Sequence, residues 1–177
     1  MAMLQSSSSF SSFSYGFTYD VFLSFRGIDT RYGFTGNIYR ALCDGGVRTF
    51  MLHGGDEITQ SLVKAIEESR IFIPIFSINY ASSSFCLDEL VHIIHCFKAK
   101  KGRKILPVFY DMEPSHVRRQ IGSYGEAIVR HERRFQNNKE KYNDNMKRLD
   151  KWKMALNEAA NLSGHHFNPR YIISFLL

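Results

Sequence analysis

The chain contains 177 residues, of which 44 % are apolar and 23 % are charged, and these values fit one globular domain and exclude a largely disordered or fibrous protein. The formal net charge of +6 would attract anionic partners. Acidic side chains are interleaved with the densest basic ones, between residues 130 and 153, so a solvated helical surface is favoured over a dedicated nucleic-acid site.

Folding signals begin after a serine-rich start. Residues 1–17 contain neither a basic residue nor an apolar stretch of signal-peptide type, so we expect a disordered tail. The run Tyr19–Phe25 is apolar and rich in aromatic and β-branched residues, which predicts a buried strand. Apolar residues then recur at helical spacing until Gly45, and we expect Asp29 or Thr30 to cap that helix.

The next part of the chain repeats the change from strand to helix. Residues 47–52 predict a second strand, residues 56–68 a helix, and residues 70–76 a third strand. Pro74 lies inside the third strand and has no backbone N–H. We therefore expect a local irregularity in the strand ladder at this proline.

The remaining elements continue the alternation. A serine run at residues 82–84 is expected to cap a long helix, and residues 104–110 predict a fourth strand. Two further helices are predicted at residues 124–137 and 146–162, because their apolar residues keep helical spacing. Phe167 marks a short fifth strand.

The three cysteines indicate a reducing compartment. Cys43, Cys86 and Cys96 form no CxxC pair, and their odd number argues against a secreted disulfide framework. Cys86 and Cys96 fall inside a helical apolar pattern, which favours small buried side chains over nucleophiles or metal ligands. No apolar run reaches the ~18 residues of a membrane span, and no metal-ligand spacing is present.

Strands that alternate with helices predict the α/β class, with a parallel sheet covered on both faces, because parallel strands need long crossovers. A five-stranded sheet of this kind commonly has the strand order 2-1-3-4-5. Its ligands bind beyond the carboxyl ends of strands 1 and 3, where the winding direction changes. The candidate site residues at these two ends are Phe25, Arg26, Gly27, Ser77, Asn79, Tyr80, Phe85 and Glu89.

These residues suit a phosphorylated nucleotide. Arg26 can bind phosphate as a fork, Gly27 allows a ligand to approach the backbone, and Phe85 offers a face for stacking. Glu89 lies one helical turn after Phe85 on the same side. Cleavage of the bond between nicotinamide and ribose passes through a cation-like sugar, which one carboxylate can stabilise.

A second interpretation of the same residues is also open. From spacing alone, Glu89 is more ordinary as a surface acid that pairs with Arg26, and Phe85 as a packing residue. Asp88 points to a different face of the helix, so the two neighbouring acids are not expected to act as a pair. The histidines show no arrangement for a hydrolase triad.

Six segments of the sequence resemble the plant TIR family, which is named for the Toll and interleukin receptors. They occur in family order between Tyr19 and Phe167, at residues 19–27, 55–58, 65–69, 79–83, 86–90 and 107–110. The resemblance implies a flavodoxin-like fold. It divides the chain into a serine-rich tail (1–17), a TIR domain (18–168) and a C-terminal tail (169–177).

The resemblance also implies an immune-signalling domain that self-associates and, in active members, cleaves NAD+ to nicotinamide and ADP-ribose-type nucleotides. Glu89 then corresponds to the catalytic glutamate, Arg26 to a nucleotide-contacting arginine, and Phe85 to a stacking position where Trp is common. We predict that Phe25, Gly27 and Tyr80 contact the same nucleotide. NAD+ is a substrate, so neither a bound cofactor nor a metal is expected.

The partners implied by the resemblance are NAD+ and other TIR domains, in homotypic or heterotypic association. The implied location is cytoplasmic or nuclear. We expect no membrane partner, and we do not expect nucleic acid to be the main partner.

Two departures from the family pattern leave another function open. Only four residues, 51–54, separate Phe50 from Gly55, where the family usually has a longer loop that gates the site and makes assembly contacts. In the first helix, Gly36 and Asn37 replace a Ser-His pair that family members use in pairing. A non-catalytic adaptor or decoy that pairs with receptor TIR domains is therefore the alternative to an NAD+ glycohydrolase.

Overall fold

The strands of the central sheet are short and pair in parallel. The computed structural model describes residues 16–52, 58–137 and 139–167, and within them the sheet has the order β2-β1-β3-β5-β6, with β4 beside β3. The strands are β1 (Tyr19–Phe25), β2 (Thr49–Met51), β3 (Ser69–Phe76), β4 (Lys104–Ile105), β5 (Val108–Tyr110) and β6 (His165–Phe167). Most of the predicted serine-rich tail, the C-terminal tail and residues 53–57 lie outside the described residues.

The predicted fourth strand is divided in two by Leu106 and Pro107. Both pieces, β4 and β5, pair with β3 in one register, which leaves Pro74 across from Pro107 in the gap. Neither proline has a backbone N–H, so the ladder is interrupted and the irregularity expected at Pro74 is found. β4 and β5 together take the place of the predicted fourth strand and β6 that of the fifth. The predicted class and the strand order 2-1-3-4-5 are therefore confirmed.

Helices pack on both faces of this sheet. In the described part of the chain they are α1 (Gly27–Thr30), α2 (Gly36–Asp44), α3 (Gln60–Glu67), α4 (Ser84–Ala99), α5 (Pro114–Arg119), α6 (Ser123–Gln136) and α7 (Tyr142–Asn161). A π-helical segment, Arg31–Thr35, joins α1 to α2 and is kinked at Gly33. Short 3-10 turns, Tyr80–Ser82 and Lys139–Lys141, precede α4 and α7.

The first helix begins earlier than predicted, and neither Asp29 nor Thr30 caps it. α1 starts at Gly27, directly after β1, so both residues lie inside its single turn. The carboxylate of Asp29 instead accepts hydrogen bonds from the Ser77 hydroxyl (2.5 Å) and from the backbone and side-chain nitrogens of Asn79 (2.9 Å each). These bonds tie α1 to the segment that follows β3, so the ends of strands 1 and 3 are held together.

The predictions for α3, α4 and α5 differed in success. α3 begins at Gln60, after Thr59 accepts a hydrogen bond from the backbone N–H of Leu62 (3.2 Å). Residues 58 and 59, predicted as helical, are therefore not part of it, and the predicted start at residue 56 lies outside the described residues. Ser83 caps α4 by accepting from the backbone N–H of Cys86 (3.2 Å), as the serine run predicted. α5 was not predicted, because six residues are too few to show a helical period.

β1 separates two clusters of buried side chains. Leu23 and Phe25 belong to the cluster on the α2 side, and Phe22 belongs to the cluster under α3, α4 and α7. Strand alternation places Ser24 on the same face as Phe22, where it is fully buried. A buried hydroxyl needs a hydrogen-bond partner, and Ser24 has one in the hydroxyl of Tyr80, 2.7 Å away.

Two of the cysteines belong to the core. Cys86 and Cys96 on α4 are buried and Cys43 is exposed, all three as free thiols. The prediction that the first two are small buried side chains is confirmed. Among the described residues, no helix combines the length and the apolar character needed to cross a membrane.

Candidate functional site

A cavity of about 330 Å³ opens at the carboxyl end of β1, beside α1 and the first turns of α4. Five of the six residues predicted to contact the nucleotide line it: Phe25, Arg26, Gly27, Phe85 and Glu89. The candidates Ser77 and Asn79 do not line it and instead bind Asp29. Leu52, which follows β2, lines the cavity as well. Ile28 and Tyr32 stand at its mouth, with 75 % and 98 % of their surface exposed.

Glu89 is the buried acid of this cavity. It is only 2 % exposed although it lines the cavity wall, and burial raises the pKa of its carboxyl to about 8. The nearby hydroxyl of Ser24 offsets part of that rise in the pKa. Among the described residues Glu89 forms no ion pair. The interpretation of Glu89 as a surface acid paired with Arg26 was therefore wrong.

Arg26 provides positive charge on the same cavity. It occupies the N-cap position of α1 without making a side-chain capping bond, and its Nε is buried with no hydrogen-bond partner among the described residues. A buried donor without a partner costs about 1–3 kcal/mol, and more when it belongs to a charged group. Because Arg26 also lines the cavity, its positive charge can attract an oxyanion there.

Gly27 makes room for a second arginine that the sequence analysis missed. A β-carbon at Gly27 would lie 2.9 Å from Nη2 of Arg31, so part of the space above this glycine is taken by a side chain of the protein itself. Arg31 donates a 2.8 Å hydrogen bond to the Leu52 carbonyl, and its guanidinium lies 5.0 Å from the centre of the Phe25 ring. Arg31 follows Gly27 by one helical turn. This spacing would have pointed to Arg31 only if α1 had been predicted to begin at Gly27.

The two remaining predicted residues differ in their access to the cavity. Phe85 lies on the first turn of α4 and is partly exposed on the cavity wall, so a ring face is available to a ligand. Tyr80 is fully buried and does not line the cavity. Its hydroxyl contacts Ser24, which the sequence analysis also missed, because a serine in an apolar strand gives no sign of its burial.

The acid beside Glu89 has a different role. Asp88 faces α7, where it binds Arg148 and accepts a 2.8 Å hydrogen bond from Nε1 of Trp152. The prediction that Asp88 and Glu89 lie on different faces of the helix is confirmed. Within the described residues, no three His, Cys, Asp or Glu side chains are grouped closely enough to hold a metal ion.

Comparisons with known proteins agree with the fold. The sequence pattern of the TIR domain family matches residues 18–171. The chain is 50 % identical over 160 residues to disease resistance protein RUN1 of Vitis rotundifolia, and 48 % identical over 158 residues to TMV resistance protein N of Nicotiana glutinosa. Each alignment covers 87 % of this chain but only 11 % and 13 % of the relative. The chain thus spans little more than a tenth of the length of these relatives.

A solved structure with a similar fold is that of the TIR domains in the activated Roq1 resistosome, which directly recognizes the pathogen effector XopQ. It superimposes with a TM-score of 0.73 at 39 % identity, covering 90 % of this chain and 98 % of that one. The family pattern spans all six strands of the sheet, and the superposition covers nine-tenths of the chain. The chain therefore belongs to the TIR domain family.

Proposed function

We propose that this domain is an NAD+ glycohydrolase of plant immune signalling, which releases nicotinamide and leaves an ADP-ribose-type nucleotide. The observation that carries the proposal is the carboxyl group of Glu89. It is buried on the wall of a cavity and has no cationic partner in the described residues. A buried acid of this kind costs free energy of folding, and a cationic ligand would offset that cost.

The chemistry of NAD+ fits such an acid. The substrate carries a positive charge on its nicotinamide ring, and cleavage moves that charge to the ribose, where the Glu89 carboxylate would stabilise it. A nearby cation favours the ionised form of a carboxyl, so bound NAD+ would lower the pKa of Glu89 from its value of about 8. Nicotinamide leaves as a neutral molecule, and water then adds to the ribose carbon with release of one proton. No second acid is needed.

The other cavity residues suit the rest of the substrate. Arg26 lines the cavity, and its positive charge suits the diphosphate of NAD+. Arg31 adds a second positive charge on the same cavity. The partly exposed ring of Phe85 can stack on a ring of the substrate. Phe25 and Gly27 contribute cavity wall.

We infer that activity requires association with other TIR domains. The similar solved structure is one of TIR domains in an assembled resistosome. Ile28 and Tyr32 are exposed at the mouth of the cavity, where an apolar surface in water is unfavourable. A neighbouring domain that covers these two side chains would also exclude water from the site.

The alternative function is that of a non-catalytic adaptor or decoy that pairs with receptor TIR domains. The observation that favours it is the short connection of four residues between Phe50 and Gly55. Leu52, on that connection, forms part of the cavity wall. A connection that is shorter than usual in the family leaves less chain to close over a ligand on this side of the cavity.

Release of nicotinamide from NAD+ tests the proposal. Concentrated protein in a crowding agent is incubated with NAD+, and the nicotinamide is measured by chromatography. Glu89→Gln should abolish release, whereas Glu126→Gln, which alters a mainly exposed acid on α6, should leave it unchanged.

A parent protein that releases no nicotinamide under conditions where a full-loop TIR domain does so would overturn the enzymatic proposal. The adaptor function would then be tested by titration with a receptor TIR domain. Saturable association is the expected result, and failure to bind any receptor TIR domain would count against it.

A further inference from the structure

The single turn of α1 determines where the positive charges of the cavity lie. Arg26 directly precedes this turn and Arg31 directly follows it, and both arginines line the cavity. A helix of four residues is too short to be stable by itself, so its place depends on contacts with the rest of the fold. Ile28 supplies little packing, because 75 % of its surface is exposed.

Asp29 makes three polar contacts for this turn. One carboxylate oxygen accepts hydrogen bonds from the Ser77 hydroxyl (2.5 Å) and from the backbone N–H of Asn79 (2.9 Å). The other oxygen accepts a 2.9 Å hydrogen bond from Nδ2 of Asn79. Hydrogen bonds to an ionised acceptor are the stronger kind. Asp29 does not line the cavity itself, so it can act on the site only through α1.

The segment that holds Asp29 is fixed from its other side. The carbonyl oxygen of Ser77 accepts a 2.9 Å hydrogen bond from the hydroxyl of Tyr124, and the carbonyl oxygen of Ala81 lies 3.0 Å from Nε2 of His131. Both partners belong to α6. The same segment leads into α4, which carries Glu89. Asp29 therefore ties a short turn to a firm base that also supports the buried acid.

We propose that Asp29 is a positioning residue of the nucleotide site, which holds α1 so that Arg26 and Arg31 lie on the same cavity as Glu89. The inference rests on the proposed function in one respect, namely that the two arginines bind the diphosphate of NAD+. Asp29 does not touch the substrate and acts through the arginines.

The sign of the effect on binding separates this role from two simpler ones. If only the charge of Asp29 mattered, it would repel phosphate, and its removal would strengthen binding. If Asp29 only stabilised the fold, its removal would lower the melting temperature and leave binding unchanged. A positioning role predicts weaker binding.

The first test follows Arg31 by NMR in the absence of any ligand. Its guanidinium lies 5.0 Å from the centre of the Phe25 ring, so the ring current shifts its Nε–Hε signal away from that of a free arginine. The signal is assigned by its loss in Arg31→Lys. Asp29→Ala should move the signal most of the way to the free position. Asp29→Asn should move it less, because the amide keeps the hydrogen bonds if the side-chain amide of Asn79 turns over.

The second test measures the affinity for ADP-ribose by isothermal titration calorimetry. Asp29→Ala should weaken binding by about tenfold, the effect of losing one charge-assisted hydrogen bond to phosphate, and Asp29→Asn should weaken it less. Where nicotinamide release is measurable, Asp29→Ala should raise KM more than it lowers kcat, since the arginines hold the diphosphate and not the reacting ribose.

The control is Asp44→Ala, which removes an exposed acid at the end of α2. This change should leave both the Arg31 signal and the affinity for ADP-ribose as they are in the parent protein.

An Arg31 signal that stays in place in Asp29→Ala would overturn the inference, and so would an unchanged or higher affinity for ADP-ribose. If Asp29→Ala does not fold, Asn79→Ala decides the matter by the same measurements, because it removes one of the three hydrogen bonds and leaves the carboxylate in place. If the parent protein binds ADP-ribose but releases no nicotinamide, the proposed function fails, yet the Arg31 signal and the affinity still show whether Asp29 positions the arginines.

Discussion

The indole Nε1 of Trp152 donates a 2.8 Å hydrogen bond to the carboxylate of Asp88, the residue directly before Glu89. Arg148 binds the same carboxylate through Nε at 2.9 Å, and its guanidinium lies 4.9 Å from the indole ring centre. Asp88 thus anchors α4 to α7 while Glu89 faces the cavity. Because both acids belong to one helix, the contact with α7 fixes the rotation of α4 and with it the direction of Glu89.

Trp152→Phe should lower the free energy of unfolding by about 1–3 kcal/mol, because the smaller ring leaves a gap in the core and removes one hydrogen bond. Urea denaturation followed by circular dichroism measures the loss. Met154→Ala on the same helix is the control. Met154 is 61 % exposed, so its replacement should change stability by no more than about 0.5 kcal/mol. Equal losses in the two variants would show that Trp152 does not anchor α4.

Glu89→Gln should stabilise the protein in alkaline solution. The pKa of the Glu89 carboxyl is about 8 in the folded chain, against an ordinary value of 4.5, so between these pH values only the folded state keeps the proton. The stability that this proton contributes is complete below about pH 4.5 and is lost as the pH rises towards 8. Glutamine cannot ionise and avoids the loss.

Urea denaturation at pH 5 and pH 8.5 measures this linkage. The difference in free energy of unfolding, Glu89→Gln minus the parent, should be larger at pH 8.5 than at pH 5 by on the order of 4 kcal/mol. Glu126→Gln, at a mainly exposed acid, should show no such increase. A pH-independent difference between Glu89→Gln and the parent would mean that Glu89 titrates like an exposed glutamate.

Short-range signals made the main elements predictable, whereas the depth and contacts of the site residues depend on the packed fold. Ser83 caps α4 through a residue three positions away, and such a contact can be recognised in the sequence. The contact of Arg31 with Leu52 spans 21 residues, and it forms only once β2 lies beside β1. Helical spacing placed Glu89 on the face of Phe85 but gave no measure of its depth.

The division of the predicted fourth strand into β4 and β5 also depends on a contact between residues that are far apart in the sequence. Residues 104–110 were predicted as one strand although they contain Pro107, and an irregularity was expected only at Pro74. The gap in the ladder depends in addition on Pro74, which lies on a different strand and comes opposite Pro107 only in the observed register. Register between distant parallel strands is set by packing of the whole sheet.

Gly27→Ala should displace Arg31 at a small cost in stability. The new β-carbon would lie 2.9 Å from Nη2 and 3.1 Å from Nε of Arg31, and this side chain can move because it is long and flexible. We expect a loss of about 0.5–1.5 kcal/mol, which is the value of the hydrogen bond to Leu52. A double-mutant cycle with Arg31→Ala, measured by urea denaturation, should therefore show coupling. If Gly27→Ala lowers the free energy of unfolding equally in the parent protein and in Arg31→Ala, the two residues are not in contact.

Gly164→Ala should be more costly, because its neighbours cannot move aside. A β-carbon there would lie 2.5 Å from the carbonyl oxygen of Pro107 and 2.8 Å from the ring of Phe109, the first a backbone atom and the second part of a buried ring. The change should destabilise the protein by about 1–3 kcal/mol or more and loosen β6 from β5. Ser163→Ala is the control, since Ser163 is the residue next to Gly164 and is exposed. Thermal unfolding should show the larger loss in Gly164→Ala, and faster amide exchange at Phe167 in Gly164→Ala alone would locate the damage at β6. If Gly164→Ala is as stable as Ser163→Ala, then β6 is not held against Pro107 in solution.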